Sequence, residues 1–441
     1  MAKSTAPIDS LQRKLIIGIV AFALALLALV IADLASGGRA DPPALRAQAM
    51  LLDGAWRFHT GDDPHWADAT LDDSGWEAID LTAKPGSHDG DVGLPDYVGG
   101  WMAQGHAGYK GYAWYRRVVE VPAGKASWEV LGPTLVEDGY EIYWNGRLLG
   151  GSGRLDPNPR VVGTHPLRFA LPAGAGGTRG MLAVRAFMLP TSDASAEGGG
   201  LHSPPILAPK PVSDGLHRAQ WQRTIAGYIV DAIEPLAMFA LIGLMLWCRP
   251  RSDQKGFLVL ASIALALTAL RRLNNAIVSW TDLMGLPTYG WLAKFMWMPT
   301  MAAWVMAWNR WCERPWRSLD VAAIALAVAA VIGAAMPLPT VTSWSRLGMI
   351  AVFVVIAVRV GRNGPTRILA LVTLAMIVAA LFGGELLDSL GAPGIWFPLG
   401  IGVSRTQYIY ALALPLLAIL SVRTLNSGET ASRGDLVAVA K

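Results

Sequence analysis

Residues 138–151 read DGYEIYWNGRLLGG. Tyr140, Ile142 and Trp144 alternate with Glu141 and Tyr143, the two-residue period of a strand with one buried face. Asn145-Gly146 offers the two residues that accept positive φ at the centre of a type I′ turn. The stretch therefore predicts a β-hairpin. It sits in a chain of 441 residues that is 53% hydrophobic and only 16% charged, a balance that points to several membrane spans. A hairpin in such a chain implies a folded domain outside the bilayer.

The sidedness of that domain follows from the apolar runs and their flanks. Leu15–Leu34 is long enough to cross ~30 Å of hydrocarbon, and Arg13 and Lys14 before it place the N-terminus inside. A cleaved signal peptide is the competing reading of this run. Seven more runs lie near 224–247, 256–280, 288–310, 318–336, 344–361, 367–388 and 405–422. Arg249, Arg251 and Lys255 mark one side, as do Arg310, Arg314 and Arg317, then Arg359, Arg362 and Arg367. The opposite loops, 281–288, 337–343 and 389–404, hold almost no Lys or Arg. This positive-inside pattern predicts an inner-membrane protein with both termini cytoplasmic and its large domain periplasmic. The net charge of +4 reports topology; no basic, aromatic-interleaved patch supports a nucleic-acid partner. Cys248 and Cys312 each end an apolar run beside basic residues and are expected as free cytoplasmic thiols, with no metal site.

Residues 40–212 are rich in Gly and Pro and show no helix of convincing period. WYRRVVEV (114–121), SWEVLG (127–132), YEIYWNG (140–146), LRFAL (167–171) and MLAVRAF (181–187) are strand-like and separated by turn signals, which suggests an antiparallel sandwich. Four ordered blocks here resemble the sugar-binding jelly-roll domain of family 2 glycoside hydrolases. They are Leu52-Asp53-Gly54 with Trp56-Arg57-Phe58, Trp66, Asp72-Asp73-Ser74 and Trp76; GYAWYRRVVEVP (111–122); Val136-Glu137-Asp138 with Trp144-Asn145-Gly146; and Leu182-Ala183-Val184-Arg185. The resemblance implies a galactose-binding-like fold. It does not imply hydrolysis, because in the resembled enzymes the carboxylate pair lies in a later barrel, and here membrane spans follow instead. Asp62-Asp63 and Asp72-Asp73 are expected to form and cap turns. No catalytic residue and no cofactor is assigned.

The fold expected is thus a jelly-roll β-sandwich plus an all-α polytopic domain, an anchor helix followed by seven further transmembrane helices. Its parts are a cytoplasmic N-terminus (1–14), an anchor or signal peptide (15–35), the periplasmic sugar-binding-like domain (36–220), the seven-helix domain (221–423) and a cytoplasmic tail (424–441). Trp56, Trp76, Trp114 and Trp144 lie in or beside patterned strands and are expected in the core. Within the glycine-rich loop 87–112, Asp89, Asp91, Tyr97, Trp101, His106 and Tyr109 are candidate saccharide contacts, since rings stack on sugar C–H faces and carboxylates accept from hydroxyls. The alternative is that Trp101 and Tyr109 plug the end of the sandwich while the acids cap turns.

In the spans, Asp231 and Glu234, three apart, share one helical face, and Glu385 and Asp388 repeat the spacing. Arg271, Arg272, Lys294 and Arg405 stand against them. All eight fall in the outer half of the bilayer or at its rim, which suggests mutual pairing around a polar cavity; interfacial hydration is the simpler reading. The tryptophans crowding 291–311 are expected mostly as belt or lipid-facing rings.

An outside sandwich followed by seven spans resembles the bacterial seven-transmembrane receptors with diverse intracellular signalling modules. After Arg423 only 18 residues remain, too few for an output domain. The function expected is a non-enzymatic sensor that binds a saccharide or envelope glycan, or a partner protein, and signals to a separate cytoplasmic protein. The alternatives are a transporter or integral-membrane enzyme with an outward polar cavity, or a structural subunit that docks a partner. No phosphate-binding glycine loop, HExxH or GxSxG occurs.

Overall fold

The computed structural model describes residues 42–88, 94–156, 158–163, 165–190, 192, 196–249, 252, 254–336, 338–362, 366–389, 407 and 409–424, with 384–389 as backbone alone. The first apolar run, Asp89, Asp91, Arg405 and the tail from 425 onward lie outside the described residues, as do the side chains of Glu385 and Asp388.

The hairpin forms. β6 (Gly139–Trp144) and β7 (Arg147–Ser152) are joined through Asn145 and Gly146, with φ of 47° and 81°, the signs a type I′ turn demands. The register slips between Ile142 and Tyr143, opposite a run ending in Gly150-Gly151. Gly151 has no room for a side chain, because a Cβ there would strike the Tyr140 carbonyl. The remaining strands are β1 (Met50–Leu51), β2 (Ala55–Thr60), β3 (Glu77–Asp80), β4 (Gly111–Glu120), β5 (Trp128–Leu131), β8 (Arg168–Ala170), β9 (Arg179–Met188) and β10 (Ile206–Pro209). One sheet runs β3-β2-β4-β9-β6-β7 and the other β1-β10-β5-β8. Every pairing is antiparallel.

The two sheets bury one shared core. Trp56, Phe58, Tyr115, Tyr140, Ile142, Trp144 and Val184 come from the larger sheet and meet Val130, Phe169 and Leu207 from the smaller. Alternation places Trp114, Arg116 and Arg185 on the opposite face of the larger sheet, yet they too are buried. The segment after β2 covers them, with Trp66 and Trp76 packed beside Trp114. Trp56, Trp114 and Trp144 are therefore buried, while Trp76 is half-buried in this outer layer.

Helix α1 (Pro43–Arg46) is one short turn; α2 (Lys210–Thr224) is longer and shares only its first three residues with the stretch 40–212 expected to be helix-free. Its sequence, KPVSDGLHRAQWQRT, carries few apolar residues, so no helical stripe announces it; Val212 and Leu216 pack with Leu131 and Ile206 of the small sheet. The helix also runs through the expected domain boundary at 220. A turn at Ala226–Tyr228 leads into α3 (Ile229–Cys248), then α4 (Lys255–Trp280), α5 (Leu286–Trp311), α6 (Arg317–Ala335), α7 (Pro339–Arg362), α8 (Arg367–Ser389) and α9 (Ile409–Thr424).

Among the described residues, four helical segments are long and apolar enough to cross a membrane: Ala226–Cys248, α4, α6 and α7. Their outward faces are apolar. Leu236 on α3 is 67% exposed and Val321 on α6 is 65% exposed, an inversion expected where the surroundings are lipid. Trp304 and Trp308 correct the belt expectation, since both are fully buried, four residues apart on the inner face of α5. Trp304 Nε1 donates to the Tyr410 hydroxyl at 2.9 Å. Trp291, one end of the same helix, is exposed. Cys248 and Cys312 are buried and neither is in a disulfide.

Candidate functional site

The acidic pairs of the sandwich are consumed by its own architecture. Asp63 accepts the His65 amide at 2.9 Å and Asp72 accepts the Ser74 amide at 3.0 Å, so both cap turns. Those amide bonds hold both carboxyls below their ordinary value. Asp73 pairs with Arg116 Nε at 2.8 Å. Arg116 Nη1 also donates to the carbonyls of Trp66 and Asp68, which fastens the covering segment to β4. On the neighbouring strand Arg185, 2% exposed, gathers Asp62 at 2.8 and 2.5 Å, Asp156 at 2.5 and 3.0 Å, and Glu141 at 3.1 Å. Its guanidinium lies 4.6 Å from the Tyr112 ring centroid. Burial alone would lower the guanidinium's pKa, but the bonds to Asp156 and Asp62 outweigh it and raise it.

The loop 87–112 divides between two roles. Trp101 is fully buried, its Nε1 donating to the Tyr109 carbonyl at 3.0 Å. The Tyr109 hydroxyl accepts the Gly61 amide at 2.9 Å and donates to the Tyr112 carbonyl at 2.5 Å, and burial raises its pKa. His106 packs against Phe58 and reaches Glu77 at 2.9 Å. Trp101 is thus enclosed by the sandwich, the position the plug reading gives it. Gly199 and Gly200 lie directly on it, with φ of 95° and 73°. Tyr97 is only half-buried and stacks on His202 at 4.9 Å.

The other end of the loop opens on a cleft of about 280 Å³. One wall is the sandwich, with Asp53, Thr134 and Ser203, and Leu94, Pro95 and Asp96 also line it. The opposite wall is α2, with Gln220 and Arg223. Sequence reading missed these residues because a polar helix beside a sandwich has no local signature.

Helix α2 also ends in a joint between the sandwich and the helical block. The Trp221 ring stacks on His165 at 5.6 Å and nears Trp280 of α4 at 6.2 Å. His165 Nε2 bonds the Ser279 carbonyl at 2.7 Å. Arg160 donates to the carbonyls of Asp282 and Leu283 at 2.8 and 3.0 Å, and the Leu286 amide donates to the Val161 carbonyl at 2.9 Å. The sandwich therefore grips the α4–α5 turn directly as well as reaching α3 through α2. His217 Nε2 stands 3.0 Å from the Pro166 carbonyl and 3.2 Å from Trp221 Nε1.

Below that turn lies a buried polar cluster. Arg272 Nε approaches Glu234 at 3.1 Å and its Nη1 approaches Asp231 at 3.8 Å. The shorter contact is too misaligned to count as a hydrogen bond. Asp231 also accepts from Asn275 and, at 2.7 Å, from Gln407 of the last helix. The Tyr289 hydroxyl donates to Asn275 at 3.1 Å. Of the eight residues expected in one layer, five have described side chains, and the structure brings together Asp231, Glu234 and Arg272 among those five. Arg271 instead faces the Trp297 ring at 5.7 Å, and Lys294 is exposed on α5. Among the described residues the further partners are uncharged, Asn275, Tyr289 and Gln407, and opposite-charge spacing in the sequence does not point to them.

Among the described residues no group of three or more His, Cys, Asp and Glu is placed to hold a metal. No family model matches the chain, and no curated protein matches it. Among solved structures it is similar to a Bacteroides uniformis β-glucuronidase, at 24% identity over 36% of this chain and 17% of that one, with a TM-score of 0.27. A β-glucuronidase from glycoside hydrolase family 2 shows 18% identity over 36% of this chain and 17% of that one, TM-score 0.26. A Faecalibacterium prausnitzii β-glucuronidase shows 17% identity over 37% of this chain and 31% of that one, TM-score 0.24. The chain spans less than a third of the length of these enzymes.

Proposed function

We propose that this is a non-enzymatic membrane receptor: its periplasmic sandwich binds a saccharide or envelope glycan, and its seven C-terminal helices relay the event to a separate cytoplasmic protein. The observation that carries the reading is the double grip. The sandwich holds the α4–α5 turn through Arg160, Val161 and His165, and leads into α3 through α2. The Asp231–Glu234–Arg272 cluster joins those same two helices, about 10 Å further along α4 from Ser279 to Arg272 by helix rise. A ligand with different affinities for two arrangements of the joint would shift the packing of α3 on α4.

Hydrogen exchange on the full chain in nanodiscs tests it, with peptidoglycan and capsule oligosaccharides as probes. Binding should change exchange at 279–289. Arg160→Ala with His165→Ala should abolish that change while leaving binding intact. An α4–α5 turn indifferent to a bound glycan would defeat the receptor reading, and labelling of Asn145→Cys from the cytosol alone would defeat its sidedness.

A further inference from the structure

We infer that the cleft between the sandwich and α2 is the ligand site, that its ligand is a single compact neutral polyhydroxylated ring, and that Gln220 is the contact by which α2 reads it. This rests on the receptor reading above and adds the site and the class of ligand.

The size comes first. At about 280 Å³ the cleft stands at the lower edge of the ~300–1,000 Å³ typical of small-molecule pockets, room for one ring rather than an extended chain. The charge pattern selects against ions. The described lining sets Arg46 and Arg223 against Asp53 and Asp96. A compact anion would meet the two carboxylates and a compact cation the two guanidiniums. Hydroxyl groups, each both donor and acceptor, suit a wall of mixed sign.

Two polar side chains stand out in the lining, Gln220 on α2 and Ser203 on the sandwich. Gln220 is 2% exposed, and among the described residues its buried Oε1 has no hydrogen-bond partner. A buried acceptor left so is costly unless a donor arrives, and a ligand hydroxyl is such a donor. Ser203 Oγ accepts the Thr134 and Leu135 amides at 3.1 and 3.3 Å and lies 3.4 Å from the Thr134 hydroxyl, so whichever of the two donates to the other, the pair keeps one hydroxyl proton for a ligand. A ring held between Ser203 and Gln220 bridges the sandwich to α2. Gln220 precedes Trp221, the ring stacked on His165, so the same helix that closes on the ligand bears on the joint.

Calorimetric titration of the full chain in nanodiscs provides the test. The probes are glucose, galactose and N-acetylglucosamine as free neutral rings, oligosaccharides ending in the same rings, and glucuronate and glucosamine as charged controls. A neutral ring should bind at least about tenfold tighter than its charged counterpart. Gln220→Leu should weaken it about tenfold, the loss of one buried hydrogen bond. Ser203→Ala should weaken it several-fold, which keeps the test open if the leucine variant misfolds. Tighter binding of the free ring identifies a free sugar as ligand, and tighter binding of the oligosaccharide identifies a glycan terminus; both support the site. Glucuronate or glucosamine binding more tightly overturns the ligand class. Neutral-ring binding untouched by either substitution, or no neutral-ring binding, overturns the site. The receptor reading fails separately, when a ring bound at Gln220 leaves exchange at 279–289 unchanged.

Discussion

Replacing Arg185 by Met should unfasten the outer layer of the sandwich. Among the described residues the guanidinium is the cation that pairs with Asp62, Glu141 and Asp156, and methionine fills much of its volume without its charge. Asp62 and Glu141 are 25% and 15% exposed, so breaking their pairs leaves carboxylates poorly solvated; such losses cost about 3–5 kcal/mol. Asp156 is 58% exposed, and its share is discounted to at most ~1 kcal/mol. For a domain of this size each kcal/mol moves the midpoint by roughly 2–4 °C, which predicts a fall of about 6–24 °C. Thermal unfolding of the full chain in nanodiscs, followed by tryptophan emission, reads this. Hydrogen exchange on β4, β6 and β9 assigns it to the sandwich. Acid should narrow the gap. The hydrogen bond from Arg185 holds the Asp156 carboxyl below its ordinary 3.8, so the stability it confers is present above that pH and fades as pH falls through the lower folded value. A fall of less than about 2 °C at neutral pH would show that the three pairs are mere surface contacts and refute the reasoning.

Other expectations follow from single contacts. Gly200→Ala adds a Cβ onto Tyr115 and Trp101 at a φ of 73°, and should cost about 2–4 kcal/mol, seen as a lowered unfolding midpoint. Trp101→Ala should cost about 3–5 kcal/mol in stability, as for any enclosed aromatic; lost sugar binding with an unchanged midpoint would restore it as a contact residue. Asp231→Asn combined with Glu234→Gln strands Arg272 among apolar helices and should lower resistance to denaturing detergent, with Arg272→Met in the same background restoring it. Burial lowers the pKa of His217, so the fold favours its neutral form and the unfolded chain binds the proton more readily. Stability of the joint should therefore decline as pH drops below 6.5, and His217→Gln should flatten that dependence in a pH series of unfolding midpoints.

Much of the fold was legible residue by residue. The strand alternation in 111–122, 138–146 and 181–187 became β4, β6 and β9, which lie side by side in one sheet. Among the described residues the helices fell where the apolar runs after residue 220 lay, and four helical segments are long and apolar enough to cross a membrane, because that capacity needs nothing but length and apolar side chains. Helix α2 was illegible because its stability comes from the sheet edge it covers and not from a stripe of its own. The candidate site fared worse for the same reason. Trp101 in a glycine-rich loop looks like a binding ring until Gly199 and Gly200, a hundred residues away in the chain, close over it.

Local sequence alone determined the periods, the turn at Asn145-Gly146, the apolar helices and their charged flanks, since each depends on neighbours within a few residues. Tertiary structure alone decided which polar groups share a buried space: Arg185 with three acids from three segments, Arg272 with Asp231 and Glu234, and Gln220 opposite Ser203. Burial and pairing are properties of contacts between residues far apart in sequence, and no period or spacing within one segment encodes them.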